Sequence, residues 1–279
     1  MKFSIITINY NNGAGLEKTM QSVLNQSARN FEYIVIDGGS TDKSLDIIKG
    51  HAEKLDYWIS EPDKGIYHAM NKGTAAAHGE YLLFLNSGDV LNDNQVMEMV
   101  GKTDASADLL MGSIRMGENI VNPAPISLRL FYVGSVLHPG TFIRKSLLER
   151  CGGYDESLRI VSDWKFFLQA CIFEHCTTEV IPFVISNFDM TGISSTNKEL
   201  DEKERQQTLQ KLIDPRIHGD YIRFLKGEHF QETPYDRFWA ELRTSGFGRL
   251  FYRAALLFMK TLSYLRSDLK SFRKYPSNY

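Results

Sequence analysis

The chain has 279 residues, 43% hydrophobic and 24% charged, the balance of an ordinary globular protein with room for one large α/β domain plus an appendage, or for two modest domains. A formal net charge of −2 gives no ground for nucleic acid as a partner, and three irregularly spaced cysteines, Cys151, Cys171 and Cys176, exclude a disulfide framework or a zinc ribbon. The thiols read as those of a cytoplasmic protein, Phe3 to Ile8 is shorter than a signal-peptide core, and no run nears about 18 uninterrupted apolar residues, so no membrane span is expected.

Short β-rich runs alternate with helical patterns over the first hundred residues, which predicts an α/β fold with a parallel sheet. Phe3 to Ile8 is the first strand, and Leu16, Met20, Val23 and Leu24 give Gly15 to Asn25 a helical period. Tyr33 to Ile36 is the second strand, ended by Asp37-Gly-Gly-Ser-Thr-Asp42 and followed by a helix from about Lys43 to Lys54. Asp56 to Ser60 reads as a third strand, Ile66 to Ala77 as a helix, and Tyr81 onward as a fourth strand running to Asp89. Further on, Leu109 to Ile120 reads as one or two strands with Met111-Gly-Ser113 turning between them. Pro123 to Leu137 is irregular enough for a lid or substrate loop, and His138 to Ile143 is a strand introduced by a polar turn. A helix spans Lys145 to Arg150, Gly152 to Glu156 is a loop, and another helix begins at Val161 with Ser162 as its cap and Asp163 in its first turn. The sheet pattern ends after Ile185, and charged helical segments take over from about Asn197. The expected organisation is residues 1–195 as the α/β domain and 196–279 as a helical C-terminal extension.

Polar residues close each early strand: Thr7 and Asn9, then Asp37, then Asp63, then Asp89. Ligands of open α/β sheets bind outside the carboxyl ends of the strands, so these residues are expected to share one crevice. Asp89 ends an apolar run and follows Asn86, Ser87 and Gly88, small residues that let a polar ligand approach the backbone. A lone carboxylate there suits a magnesium or manganese ion on a diphosphate, since such ions use few protein carboxylates and keep phosphate and water ligands. The bland alternative is an Asp that caps a helix starting near Asp93, and Asp37 and Asp63 are open to the same reading.

The segments Ser4-Ile-Ile-Thr-Ile-Asn-Tyr-Asn11, Tyr33-Ile-Val-Ile-Asp-Gly-Gly-Ser-Thr-Asp42, Glu61-Pro-Asp-Lys-Gly-Ile-Tyr67 with Met70-Asn-Lys-Gly73, Leu85-Asn-Ser-Gly-Asp89 and Ser162-Asp-Trp-Lys-Phe-Phe167 resemble, in this order, the family 2 glycosyltransferases. The resemblance covers roughly the first 190 residues. Its look is nearest to members that build bacterial surface polysaccharides such as O-antigen. It implies a GT-A, Rossmann-like fold with a mixed, mainly parallel sheet flanked by helices. It also implies inverting transfer of a sugar from a nucleoside diphosphate donor, a UDP-sugar favoured, to a hydroxyl of a glycan or lipid-linked glycan.

Carried over by that resemblance, Thr7, Asn9, Tyr10 and Asp37 hold the nucleoside, with Asp63 and Lys64 beside the nucleotide. Asn86, Ser87 and Gly88 line the sugar-nucleotide site, Asp89 binds the divalent cation, and Asp163 is the catalytic base. The family often has two or three acids where this chain has Asn86-Ser-Gly-Asp89, and Gly88 offers no side chain to a ribose. His138 is a candidate contact to diphosphate or acceptor, or a turn residue bonded to backbone. Trp164 is a candidate wall of the acceptor pocket, or a core residue.

From Arg243 onward the chain has eight Lys or Arg against one acid, Asp268, which leaves the tail near +7 and the remainder near −9. Leu250, Ala254, Leu257, Phe258, Leu262, Leu265 and Leu269 recur at helical steps beside those charges. Such a helix either lies on an anionic membrane, placing the enzyme peripherally on the inner face of the plasma membrane, or packs on protein. Two rivals stand against the transferase reading. A nucleotide-binding oxidoreductase lacks support, because Asn11-Asn-Gly-Ala-Gly15 misses the third glycine of the dinucleotide fingerprint. A catalytically silent scaffold that kept the sugar-nucleotide cleft draws on the thinned acidic motif.

Overall fold

The computed structural model describes residues 3–103, 106–192 and 196–226; the basic tail from Arg243, for which a membrane or packing role is expected, lies outside the described residues. Strand β1 (Phe3–Asn9) is buried at every position, as a strand covered on both faces must be. It pairs in parallel with β2 (Phe31–Asp37) on one side and β4 (Tyr81–Phe84) on the other, and β2 pairs in parallel with β3 (Tyr57–Ser60).

Helices α1 (Gly13–Leu24) and α2 (Ser44–His51) carry the chain outward from β1 to β3, and α3 (Ile66–Ala76) carries it back past β1 to β4. Crossovers of one hand that step in opposite directions along a sheet must use opposite faces. Accordingly Phe3 and Ile5 pack with Leu16, Met20 and Val23 of α1, whereas Ile6 meets α3. Gly73 permits that second contact: a Cβ there would lie 2.4 Å from Ile6 Cγ2, so the helix rests directly on the strand. Strand order reverses at β1, and the reversal opens a crevice between the ends of β1 and β4.

Beyond β4 the nine-stranded sheet continues through β8 (Thr141–Arg144), β6 (Leu109–Met116), β9 (Thr178–Asn187) and β5 (Val90–Leu91), with β7 (Asn119–Val121) paired to β6. β8 and β5 run antiparallel to their neighbours while β6 and β9 are parallel, so the sheet is mixed and mainly parallel. The turn expected at Met111-Gly-Ser113 is instead mid-strand with an irregular register. Gly112 is there for packing, since a Cβ would stand 2.3 Å from Ile185 Cγ1 of β9. The turn falls later, at Gly117, whose φ of +60° suits glycine.

The remaining helices are α4 (Val96–Gly101), α5 (Leu128–Val133), α6 (Lys145–Arg150), α7 (Ser162–Leu168) and α8 (Lys198–Leu212). The irregular stretch 123–137 thus holds a short helix, anchored by the buried Phe131. The chain divides into two compact units, one ending at Leu212 and including α8, the other starting at Ile213. In the second, α9 (Pro215–Leu225) starts on Asp214, whose carboxylate accepts from the Arg216 amide at 2.9 Å. Among the described residues no helix is long and apolar enough to cross a membrane.

Candidate active site

The ends of β1 and β2 are tied together by Asp37. Its Oδ1 accepts from Asn9 Nδ2 at 2.7 Å and Ser40 Oγ at 2.6 Å, and its Oδ2 from Ser60 Oγ at 2.6 Å and the Ser40 amide at 2.9 Å. Burial alone would raise this carboxyl, but the hydroxyls of Ser40 and Ser60, with the Ser40 and Asn9 donors, hold it below the ordinary range. Asp37 is fully buried and braces the loop 38–41 from beneath. Thr7 is also buried and bonds Tyr33 Oη at 3.0 Å, so it too supports the crevice from inside. Tyr10, by contrast, is 65% exposed. A Cβ on Gly38 would meet Asp63 Oδ2 at 2.6 Å and the Tyr10 ring at 3.2 Å, so Tyr10 and Asp63 both close on the bare backbone there. Asp63 Oδ1 accepts from the Gly65 amide at 2.9 Å, and Lys64 is exposed beside it.

Asn86, Ser87 and Gly88 follow β4 into the crevice. Asn12 Nδ2 donates to the Ser87 carbonyl at 2.9 Å, joining the first loop to this one. Asn86 Oδ1 is buried with no hydrogen-bond partner among the described residues. Asp89 does not cap a helix, because β5 intervenes before α4 begins at Val96. It is 3% exposed, and its Oδ1 accepts from the Asp189 amide at 2.8 Å. Burial pushes the Asp89 carboxyl up to about 7, the Asp189 and Asn86 backbone bonds oppose this, and the Asp189 charge adds to it. Gly88 has φ +112°, and a Cβ on it would lie 2.2 Å from Asp189 Oδ2. Asp189, just past β9, is therefore a second carboxylate against the Gly88-Asp89 turn, which the sequence reading missed.

Asp163 opens α7 on the other wall. Its Oδ1 accepts from Tyr67 Oη at 2.8 Å, and its Oδ2 lies 3.9 Å from His138 Nδ1, with the side chain 24% exposed. His138 Nε2 pairs with Tyr154 Oη at 2.9 Å, and the imidazole stacks on Phe84 at 5.3 Å between centroids. Phe84 is the last residue of β4, so this stack places Asp163 at the same end of the sheet as Asn86 to Asp89. Burial holds His138 below the ordinary imidazole value, against the pull of Asp163. His138 is buried and serves the Asp163 wall rather than a backbone turn. Trp164 is a core residue, 1% exposed, with its indole N–H donating to the Phe131 carbonyl at 3.1 Å. It offers no face to a sugar ring.

Ser162 does not cap α7; its hydroxyl accepts from the Asp155 amide at 2.5 Å. The amides ahead of the helix are met instead by Glu204 of α8, which accepts from Arg159 at 2.9 Å and Ile160 at 3.0 Å. Asp155 also pairs with Lys165 Nζ at 2.6 Å. Burial works to raise the Asp155 carboxyl, but bonds from Lys165 and Ser157 bring it down to about 2. A depressed carboxyl stabilises the fold above its unfolded value near 3.8, and that contribution is lost as pH falls toward about 2. Because the pair is partly exposed, solvent screening limits its worth to about 1 kcal/mol. Lys165→Met is expected to lower stability by that amount in urea melts at pH 7 and by clearly less as pH falls from about 4 to about 2, where Asp155 is half protonated. An equal loss at both pH values would refute the ion pair as the cause.

A cavity of about 550 Å³ opens elsewhere, beside β3 and α3, where Glu32, Tyr57, Lys72 and His78 line it. It includes none of the strand-end residues, and the candidate site is drawn from the convergence of carboxylates rather than from cavity volume.

Comparison with known proteins gives the family and the type of fold. Residues 4–154 match the family model described as Glycosyl transferase family 2. An uncharacterized glycosyltransferase of Mycobacterium tuberculosis is 38% identical over 202 residues, 69% of this chain and 76% of that protein. A PGL/p-HBAD biosynthesis glycosyltransferase of Mycobacterium bovis is 31% identical over 204 residues, 70% of this chain and 79% of that one. The structure of S. aureus TarS 1–349 in complex with UDP-GlcNAc superposes with a TM-score of 0.59 at 20% identity, covering 86% of this chain and 76% of that chain. The mannosyltransferase PcManGT of Pyrobaculum calidifontis, solved with GDP-Man and Mn2+, gives 0.58 at 16% identity, covering 76% of this chain and 64% of that one. The fold is of the GT-A glycosyltransferase type. The chain belongs to glycosyl transferase family 2 and is an enzyme of the glycosyltransferase class.

Proposed function

We propose that this glycosyltransferase moves one sugar from a nucleoside diphosphate donor, with UDP favoured, to a hydroxyl of a glycan or lipid-linked glycan in surface polysaccharide or glycolipid synthesis, with inversion. The observation that carries this reading is the pairing of two separate carboxylate centres at one end of the sheet. Asp89 and Asp189 meet beside the strand-order reversal, and Asp163 stands on the opposing wall with one oxygen free of short bonds among the described residues. The ligands named for the structural neighbours, UDP-GlcNAc and GDP-Man with Mn2+, support a sugar nucleotide as donor. The relative named for PGL/p-HBAD biosynthesis supports a glycolipid-type acceptor.

In this reading Tyr10 stacks on the base above Gly38, with Asp63 and Lys64 at its side and Asn9 and Asp37 holding the loop that shapes the pocket. The residues fit a divalent cation, magnesium or manganese: Asp89 is a buried carboxyl beside a second one, and Asn86 Oδ1 is a buried oxygen lacking a donor. Asp89 and Asp189 would hold that ion, which when bound supplies charge neutralisation for the departing diphosphate. Asp163 takes the proton of the acceptor hydroxyl as that oxygen attacks the anomeric carbon from the side opposite the leaving group.

Calorimetric titration of uridine diphosphate is the direct test. Binding is expected with manganese and is expected to vanish with chelator. Binding indifferent to metal would remove the cation from the mechanism, and no binding beside tight binding of guanosine or thymidine diphosphate would replace the donor base.

A further inference from the structure

We infer that Tyr67 is the positioning residue of the base: its hydroxyl fixes the Asp163 carboxylate and, once that group is protonated, turns to the Ile160 carbonyl, so that the protonated state strands no buried polar group. This rests on the assignment of Asp163 made above. Tyr67 lies in the first turn of α3 and is 4% exposed, with its ring 5.8 Å from that of Tyr154. Its Oη touches two acceptors, Asp163 Oδ1 at 2.8 Å and the Ile160 carbonyl. A phenol has one proton, so it serves one of them at a time.

With Asp163 ionised, the proton goes to Oδ1, where a charge-assisted bond is the stronger choice. Once Asp163 has taken a proton from the acceptor hydroxyl, the phenol turns its own proton to the Ile160 carbonyl and accepts from the carboxylic acid. In the second state every one of these groups is met, whereas in the first the Ile160 carbonyl yields its donor to the charged oxygen; an unmet buried acceptor costs about 1–3 kcal/mol, so the arrangement favours proton uptake by Asp163. Burial, then the Asp163 charge, keep Tyr67 far above the ordinary phenol value, so it stays a donor. Among the described residues the other carboxylate oxygen has the buried His138 at 3.9 Å and no hydrogen bond, which leaves it for the acceptor.

Tyr67 also ties the two halves of the reaction. The loop Asp63-Lys64-Gly65, which flanks the proposed nucleotide pocket, runs directly into the turn that bears Tyr67. Asp163 is 96 residues away in sequence, so donor loop and base are joined through this hydroxyl.

The test is Tyr67→Phe, which keeps the ring, alone and in an Asp163→Asn background, with thermal melts to confirm folding and hydroxyl-proton NMR of the unliganded protein. Expected are a kcat lower by roughly 10–100-fold, the cost of a displaced reacting group, an unchanged donor KM, and no further loss when Asp163→Asn is already present. A protected hydroxyl resonance, absent from Tyr67→Phe, should also move in Asp163→Asn. Wild-type kcat in Tyr67→Phe, the same fold-loss in the Asp163→Asn background, or a resonance that Asp163→Asn does not move would each overturn the proposal. The NMR arm needs no turnover. Should the wild type transfer no sugar at all, the function above would fail, while the Tyr67 bond would still be confirmed or refuted.

Discussion

Asp163→Asn is expected to lower kcat for sugar transfer by about 10²–10⁴-fold, the usual contribution of a positioned general base, with nucleoside diphosphate affinity unchanged. Asparagine keeps the shape and can still accept from Tyr67 Oη, so the wall of the crevice survives. What it loses is the capacity to take a proton. The proposed donor pocket, at the ends of β1 to β4, does not include this residue, so binding is expected to be spared. Transfer and donor hydrolysis followed by nucleotide release, with calorimetry on the same preparations, check both halves. Full hydrolysis in the variant would place the base elsewhere. A wild type that binds donor yet neither transfers nor hydrolyses it would favour the scaffold.

The second large effect falls on Asp89. Asp89→Ala is expected to weaken manganese-dependent binding of the nucleoside diphosphate by more than the roughly 10–100-fold that loss of an outer-shell partner costs a metal site. In chelator the variant and the wild type should be alike. The reason is geometric: Asp89 is buried, and Asp189 is held against Gly88. Asp189→Asn should show a smaller loss of the same kind, readable as manganese affinity by electron paramagnetic resonance without any turnover. Retention of wild-type manganese affinity in Asp89→Ala would remove the cation from this turn.

The early sheet could be read from the sequence because its signals are local. Wholly apolar runs such as Phe3 to Ile8, broken by Asn and Gly, have few alternatives to a central parallel strand, and the polar residue at each end marks the crevice. Asp189 was not legible: it lies 100 residues from Asp89, and only the return of β9 beside β6 and β5 brings them together. The Tyr67 link to Asp163 was hidden for the same reason. Local signals also misled. Gly112 looked like a turn because glycine's absence of a side chain serves close packing as well as bending, and Ser162 looked like a cap although Glu204, from a distant helix, meets the amides there. Trp164 could not be placed from its type, since an indole suits a sugar face and a core equally.

The reversal of strand order at β1 also sorts the chain by task. The residues assigned to the donor lie before Leu91, save Asp189, while the residues around Asp163 lie after Leu137, save Tyr67 and Phe84. On the proposed assignment, donor binding and the proton acceptor are encoded in largely separate stretches of the gene. Such a division lets a lineage acquire new acceptors by drift in its second half without relearning its donor, on condition that the Tyr67 and Asp189 crossings are preserved.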